Sequence, residues 1–207
     1  MTSEELEDVL RFWYPKQLIS NHAAMVSQFE WWFGGGANAA IAERFAPVLE
    51  RAIRGELDRW SDGPRSRLAL IVVLDQFSRS IHRGTARAFA QDRKALALAL
   101  EGFEIGHYAD LGTPWEKTFF FLPLGHSEEL RHLEAAVDLA EELAEQAPPE
   151  LRRILEHSAA QARGHREIIA RFGRQPHRNA VLGRPSTPEE LEYLASGQPV
   201  HTRPLPL

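Results

Sequence analysis

Leu68-Ala69-Leu70-Ile71-Val72-Val73-Leu74 is an unbroken apolar run near the middle of a 207-residue chain. By composition it reads as a buried strand, because β-branched residues dominate its middle. A lone strand cannot satisfy its backbone hydrogen bonds, and no second stretch of the chain offers it a partner. The run is therefore read as a central helix, apolar all round. It is the longest apolar stretch, far too short to cross a bilayer.

The neighbouring segments read as helices too. Thr2 and Glu5 have the spacing of a capping box ahead of Leu6, Val9, Leu10 and Trp13, which share one face, and Pro15 ends that helix. A second helix is expected from about Asn21 to Phe33, broken by Gly34-Gly35-Gly36. The third spans Ala37 to Leu57, with Ile41, Phe45, Val48, Leu49 and Ala52 inward. After the central helix the pattern predicts helices over Thr85 to Phe103 and Trp115 to Leu122, the latter stopped by Pro123. Ser127 is expected to cap a helix to about Gln146, with Glu128 and Glu129 in its first turn. Pro148-Pro149 then opens a helix to about Phe172. Thr187-Pro188-Glu189-Glu190 is a capping box with proline at the first helical position, starting a short helix to Ala195. The expectation is an all-α fold of stacked antiparallel helix pairs, one domain over residues 1–196, followed by a proline-rich tail over 197–207. There is no repeat and no interdomain linker.

Composition narrows the function classes. With no cysteine, disulfides, thiolate nucleophiles and cysteine-bound metal centres are excluded. The net charge of −5 argues against a nucleic-acid partner, which needs a broad basic face. The acidic start Met1-Thr2-Ser3-Glu4-Glu5 is unlike a signal peptide, so a cytoplasmic protein with no membrane partner is expected. No known metal-ligand spacing occurs among His, Asp and Glu, and neither a metal nor another cofactor is expected. No nucleotide-binding, zinc-protease or serine-hydrolase signature occurs either, so no reaction class is singled out.

Several polar residues fall on stripes that helical spacing turns inward. Leu68, Val72, Asp75, Arg79 and His82 form a seam that changes from apolar to polar halfway. Thr85, Phe89, Asp92, Leu96, Ala99 and Phe103 form another, and Leu151, Leu155, Ser158, Ala162, His165, Ile169 and Phe172 a third. A buried charge must find a partner or neutralise itself, so Asp75, Arg79, His82, Asp92 and His165 are expected to be paired. Asp75 and Arg79, four apart, suit an intrahelical ion pair as well as they suit a site. His165 taken alone more often reads as a hydrogen-bonded core histidine, and His126, just before Ser127, also suits a helix-start role.

The segment Arg171-Phe172-Gly173-Arg174-Gln175-Pro176-His177-Arg178-Asn179-Ala180-Val181-Leu182-Gly183-Arg184 concentrates four arginines and a histidine. Arginine forks suit carboxylate and phosphate, so Arg171, Arg174, His177 and Arg178, with Arg79 and His82, are the candidate ligand-binding residues for a small anion. The alternative is a basic turn tied down by the chain's own acids.

Together, Leu74-Asp75-Gln76-Phe77-Ser78-Arg79 with His82-Arg83-Gly84-Thr85-Ala86-Arg87-Ala88-Phe89, then Phe121-Leu122-Pro123-Leu124-Gly125-His126-Ser127-Glu128, then Arg171 to Arg174, Pro176 to Asn179 and Leu182-Gly183-Arg184, make the chain resemble the bacterial domain-of-unknown-function family numbered 924. Val9 to Trp13 and Ser186 to Leu191 match its ends. The resemblance implies a tetratricopeptide-like, all-helical fold and no established substrate, cofactor or catalytic residue. Departures from its pattern are Ser78 for proline, Asn38 for an acid and Lys117 for arginine. A lysine cannot reproduce an arginine fork, so Lys117 would alter specificity if it touched ligand.

Two functional readings follow. In the first, a small anionic ligand sits in an interhelical pocket where the motifs converge, with Asp75, His126 and His165 as the catalytic candidates if the protein is an enzyme. In the second, the fold is a tetratricopeptide-like module for a peptide or protein partner, and the polar motifs are a structural clamp.

Overall fold

The computed structural model describes residues 2–15 and 22–196, and among them every regular element is helical. The described residues form two compact units, one within 1–83 with 87–123 and the other within 84–86 with 124–207.

In the first unit, α1 (Thr2–Trp13), α2 (His22–Phe33) and α3 (Asn38–Ile53) precede a 3₁₀ turn at Asp58–Asp62 and the central helix α4 (Pro64–Val72). Leu68 to Leu74 is helical and wholly buried, as its lack of a partner strand demands. Its helix does not run on unchanged. Val73–Phe77 widens into a π turn before α5 (Ser78–Ile81) restores the α pitch. The buried residues of α3 are Ile41, Phe45, Val48, Leu49 and Ala52, the predicted set, and α3 packs on the π turn and α5. Phe77 anchors that contact through Phe45, with ring centroids 5.0 Å apart, and meets Trp13 of α1 at 5.5 Å. Trp32 Nε1 donates to the Trp13 carbonyl at 3.0 Å. The Asn21 helix start and the partners of Thr2 lie outside the described residues.

Three expected boundaries in this unit move. Helix α3, expected to run to Leu57, ends at Ile53, just ahead of Gly55 at φ 80°. The helix expected over Thr85 to Phe103 is a 3₁₀ turn at Ala86–Phe89 followed by α6 (Asp92–Glu104). Aspartate is unfavourable inside a helix and favourable in its first turn, where its carboxylate meets the positive end of the dipole, so the break falls just ahead of Asp92. Pro123 does not stop its helix either, since α7 runs over Pro114–Gly125 with Pro123 inside its last turn. There the missing N–H forfeits one hydrogen bond and no later turn is distorted.

The second unit is built on the hairpin of α8 (Leu130–Glu145) and α9 (Pro149–Phe172), which pack along one another after a short connection at Gln146-Ala147-Pro148. Leu133, Ala136, Ala140 and Leu143 on one helix, and Leu151, Leu155, Ala159 and Ile169 on the other, are buried at helical spacing. Helix α8 starts at Leu130, later than expected. Ser127 Oγ does not cap the first turn but accepts from the Glu129 N–H at 3.1 Å, in a small turn ahead of the helix. Gly173 ends α9 at φ 68°, a left-handed conformation that favours glycine. A 3₁₀ turn (Pro176–Arg178) and α10 (Pro188–Ala195) follow, and the capping box of Thr187 and Glu190 is complete. The proline-rich tail lies outside the described residues.

Gly102 gives a direct test of packing in the first unit. A Cβ there would run into the Phe120 ring and come within 2.8 Å of Arg67 Cδ, and the Arg67 guanidinium is itself fixed by the Leu98 and Ser61 carbonyls at 2.9 and 2.8 Å. Alanine for glycine gains roughly 1 kcal/mol of helix propensity, whereas overpacking costs roughly 1–3 kcal/mol. Gly102→Ala is therefore expected to lower the urea midpoint; an unchanged or raised midpoint would show that the ring and the arginine give way without strain.

Candidate functional site

The polar half of the central helix forms one cluster in the first unit. Asp75 lies in the π turn and is 1% exposed. Gln76 Nε2 donates to Asp75 Oδ2 at 2.6 Å. Arg79, one turn on, donates to the Asp75 carbonyl at 2.8 Å and has Nη1 3.3 Å from Asp75 Oδ1. Its outer edge forks onto Asp92, with Nη1 and Nη2 at 2.8 and 3.0 Å from the two carboxylate oxygens. The Phe89 ring covers one face of the guanidinium at 5.5 Å. Burial disfavours the Arg79 charge, but Asp75 and Asp92 outweigh it and hold the group firmly protonated. His82, at the end of the same helix, is half-buried; desolvation and the nearby Arg87 push its pKa down, so the imidazole is neutral at neutral pH.

The arginine-rich segment belongs to the second unit, where each of three arginines meets a glutamate. Arg174 forks onto Glu190 at 2.6 and 2.7 Å and also donates to the Pro185 carbonyl. The same carboxylate accepts from the Thr187 N–H at 2.8 Å and from Asn179 Nδ2 at 3.2 Å, so one buried group ties the loop to the start of α10. Arg184 forks onto Glu128 at 2.7 and 3.0 Å, and Glu128 also accepts from the Gln175 N–H at 2.7 Å. Arg171 reaches Glu189 at 2.7 Å on the surface. The Arg174 fork, against the opposing effect of burial, holds the Glu190 carboxyl down to about 2. Burial alone would raise the Glu128 pKa, but the Arg184 fork and the Gln175 N–H bring it below the usual range. A depressed carboxylate stabilises the fold above its ordinary titration range, and that stabilisation fades as pH falls toward the folded value. The Glu190 contribution is thus complete above about pH 5 and disappears between there and about pH 2.

The predicted site residues are divided between the two units. Asp75, Arg79 and His82 are gathered on the central helix. Arg171, in the last turn of α9, and Arg174, just past Gly173, both reach acids in the first turn of α10. Arg178 is buried on the 3₁₀ turn beside half-buried His177. His165 is half-buried on α9 and His126 half-buried just after α7. Lys117 lies over the Tyr108 ring at 5.4 Å. Sequence reasoning did not single out the acids that hold the arginines, Glu128, Glu189 and Glu190, nor Asn179 and Gln175. The capping box was the one signal that pointed to Glu190. Among the described residues no three His, Asp or Glu side chains come together as a metal-ligating group, and no helix is long and apolar enough to cross a membrane.

An all-helical protein with a π turn under a buried carboxylate, and with an arginine clamp at its C-terminal helix, is the class that these features define. Residues 9–198 match the family described as bacterial protein of unknown function (DUF924), and the chain belongs to that family. A solved structure, of a protein of unknown function from Agrobacterium tumefaciens, is similar at 35% identity and a TM-score of 0.71, over 95% of this chain and 100% of that one. No curated protein matches the chain.

The clamp can be ranked by burial. Arg174 and Glu190 side chains are 28% and 2% exposed, Arg171 and Glu189 53% and 58%. Removing one partner of a buried pair costs on the order of 3 kcal/mol, whereas exposed pairs contribute roughly 0–1 kcal/mol. Arg174→Met is expected to lower the melting temperature well beyond Arg171→Met in parallel thermal scans. Equal effects, or none, would count against the clamp.

Proposed function

We propose that the protein binds a small molecule carrying a carboxylate or phosphate, and that Arg79 on the central helix takes its acidic group. The observation that carries this reading is the fork of Arg79 onto Asp92. The guanidinium is held from behind by buried Asp75 and covered by Phe89, while its outer edge presents two N–H groups, 2.8 and 3.0 Å from a carboxylate that is itself only partly buried. The Asp92 carboxylate occupies the position that a ligand's acidic group would take. It can give way at small cost, because it stands at the first residue of the 13-residue α6, where the helix dipole compensates its charge. Glu190 has no such freedom, since it also caps α10.

Asp75, almost fully buried, is in this reading a positioning residue. A π turn in mid-helix supports the assignment, because such turns recur at functional sites. The competing reading, a tetratricopeptide-like peptide scaffold with the polar motifs as a clamp, draws support from the ion pairs of Arg171, Arg174 and Arg184. It takes Asp75, Arg79 and Asp92 as a structural ion-pair cluster like the others, and offers no reason for the π turn beneath them.

Thermal shift with phosphate, against chloride at equal ionic strength, tests the proposal. Phosphate should stabilise the parent protein; Asp92→Asn, which frees the fork, should enlarge the shift, and Arg79→Lys, which keeps the charge and loses the fork, should remove it. A phosphate shift that ignores both variants but is lost in Arg171→Met or His177→Ala would move the anion to the C-terminal segment. No phosphate-specific shift at all would leave only the clamp.

A further inference from the structure

The second unit holds a hydroxyl and an imidazole in an arrangement that capping does not require. Ser127 Oγ lies 2.9 Å from His132 Nδ1. The same oxygen accepts from the Glu129 N–H at 3.1 Å, so one of its lone pairs is occupied and its own proton is available to the imidazole. His132 is buried in the first turn of α8, whereas Ser127 is partly exposed ahead of it. A hydroxyl open to one side, with a buried imidazole behind it at hydrogen-bond distance, is the nucleophile and base pair of acyl transfer.

We propose that Ser127 and His132 form a second functional site, a serine nucleophile and its general base, acting on small carboxylic esters. In the proposed tautomer His132 carries its proton on Nε2, and Nδ1 accepts from the hydroxyl. Ser127 Oγ attacks the ester carbonyl carbon. The new bond is Oγ–C, and the hydroxyl proton passes to Nδ1. Collapse of the tetrahedral species breaks the bond from that carbon to the alcohol oxygen, and Nδ1 returns the proton to the departing alkoxide. A water molecule, deprotonated by the same Nδ1, then releases the acid and restores the serine. Charge that develops on the carbonyl oxygen falls near the N-terminal end of the 16-residue α8, the positive end of the helix dipole. The step draws on no residue of the Arg79 cluster, so either proposal can fail without the other.

The test is labelling with a fluorophosphonate, read by intact mass and peptide mapping, alongside release of p-nitrophenol from its acetate ester. One adduct is expected, on Ser127, and none in Ser127→Ala. His132→Gln offers the serine a polar partner of similar reach but no base, and is expected to slow labelling at least about 100-fold while melting within a degree or two of the parent. If the pair is only a helix-start device, the parent will label no faster than Ser127→Ala; that outcome, or undiminished labelling in a folded His132→Gln, overturns the proposal.

Discussion

Carboxylates that the fold takes out of water govern the placement of its arginines. Asp75, Glu116 and Glu190 are 1%, 4% and 2% exposed, and each is met by an arginine with more solvent around it, Arg79, Arg65 and Arg174. An ionised carboxyl in the interior is tolerable only when it is paired and its remaining lone pairs are filled. Glu116 takes the Thr113 N–H and hydroxyl, both at 3.1 Å, Glu190 takes Thr187 and Asn179, and Asp75 takes Gln76. Arg67 inverts the pattern as a buried cation, with Glu101 reaching in from the surface and neighbouring carbonyls completing its shell. Most of the chain's recognisable arginines are therefore engaged by its own acids.

This bears on how an arginine-rich motif is read. Four arginines in one short stretch suggest an anion site when the acids that answer them are far away in the chain. Glu128 is 56 residues from Arg184, and Glu190 is 16 residues from Arg174. Pairing at such separations is a property of tertiary structure. Only the Thr187 capping box marked Glu190 as a local structural residue, and even that gave no hint that Arg174 would fork onto it.

Other parts were legible. The inward face of α3 followed from apolar spacing alone, because a surface helix buries what lies on one stripe. The helical state of Leu68 to Leu74 followed from the absence of a strand partner. The π turn did not, since Leu68, Val72, Asp75, Arg79 and His82 keep their three-and-four spacing through it and show no break where an extra residue enters a turn. The break before Asp92 was hidden by a seam of apolar positions that masks a single-residue preference, whereas at Pro123 the single-residue preference misled and the chain carries the helix on to Gly125. In the candidate site, Asp75 and Arg79 were readable from their spacing and from the family pattern, whereas the fork onto Asp92 joins two separate helices.

If arginines serve first to hold buried carboxylates, Glu190 should reveal it directly. A carbon-detected NMR titration that follows the Glu190 side-chain carboxyl resonance measures its protonation in the folded protein. The account predicts a midpoint near 2, with the resonance reverting to ordinary glutamate behaviour in Arg174→Met. A midpoint in the usual range of about 4.3 in the parent protein would mean that Arg174 is not spent on Glu190. The C-terminal arginines would then be open to a ligand after all.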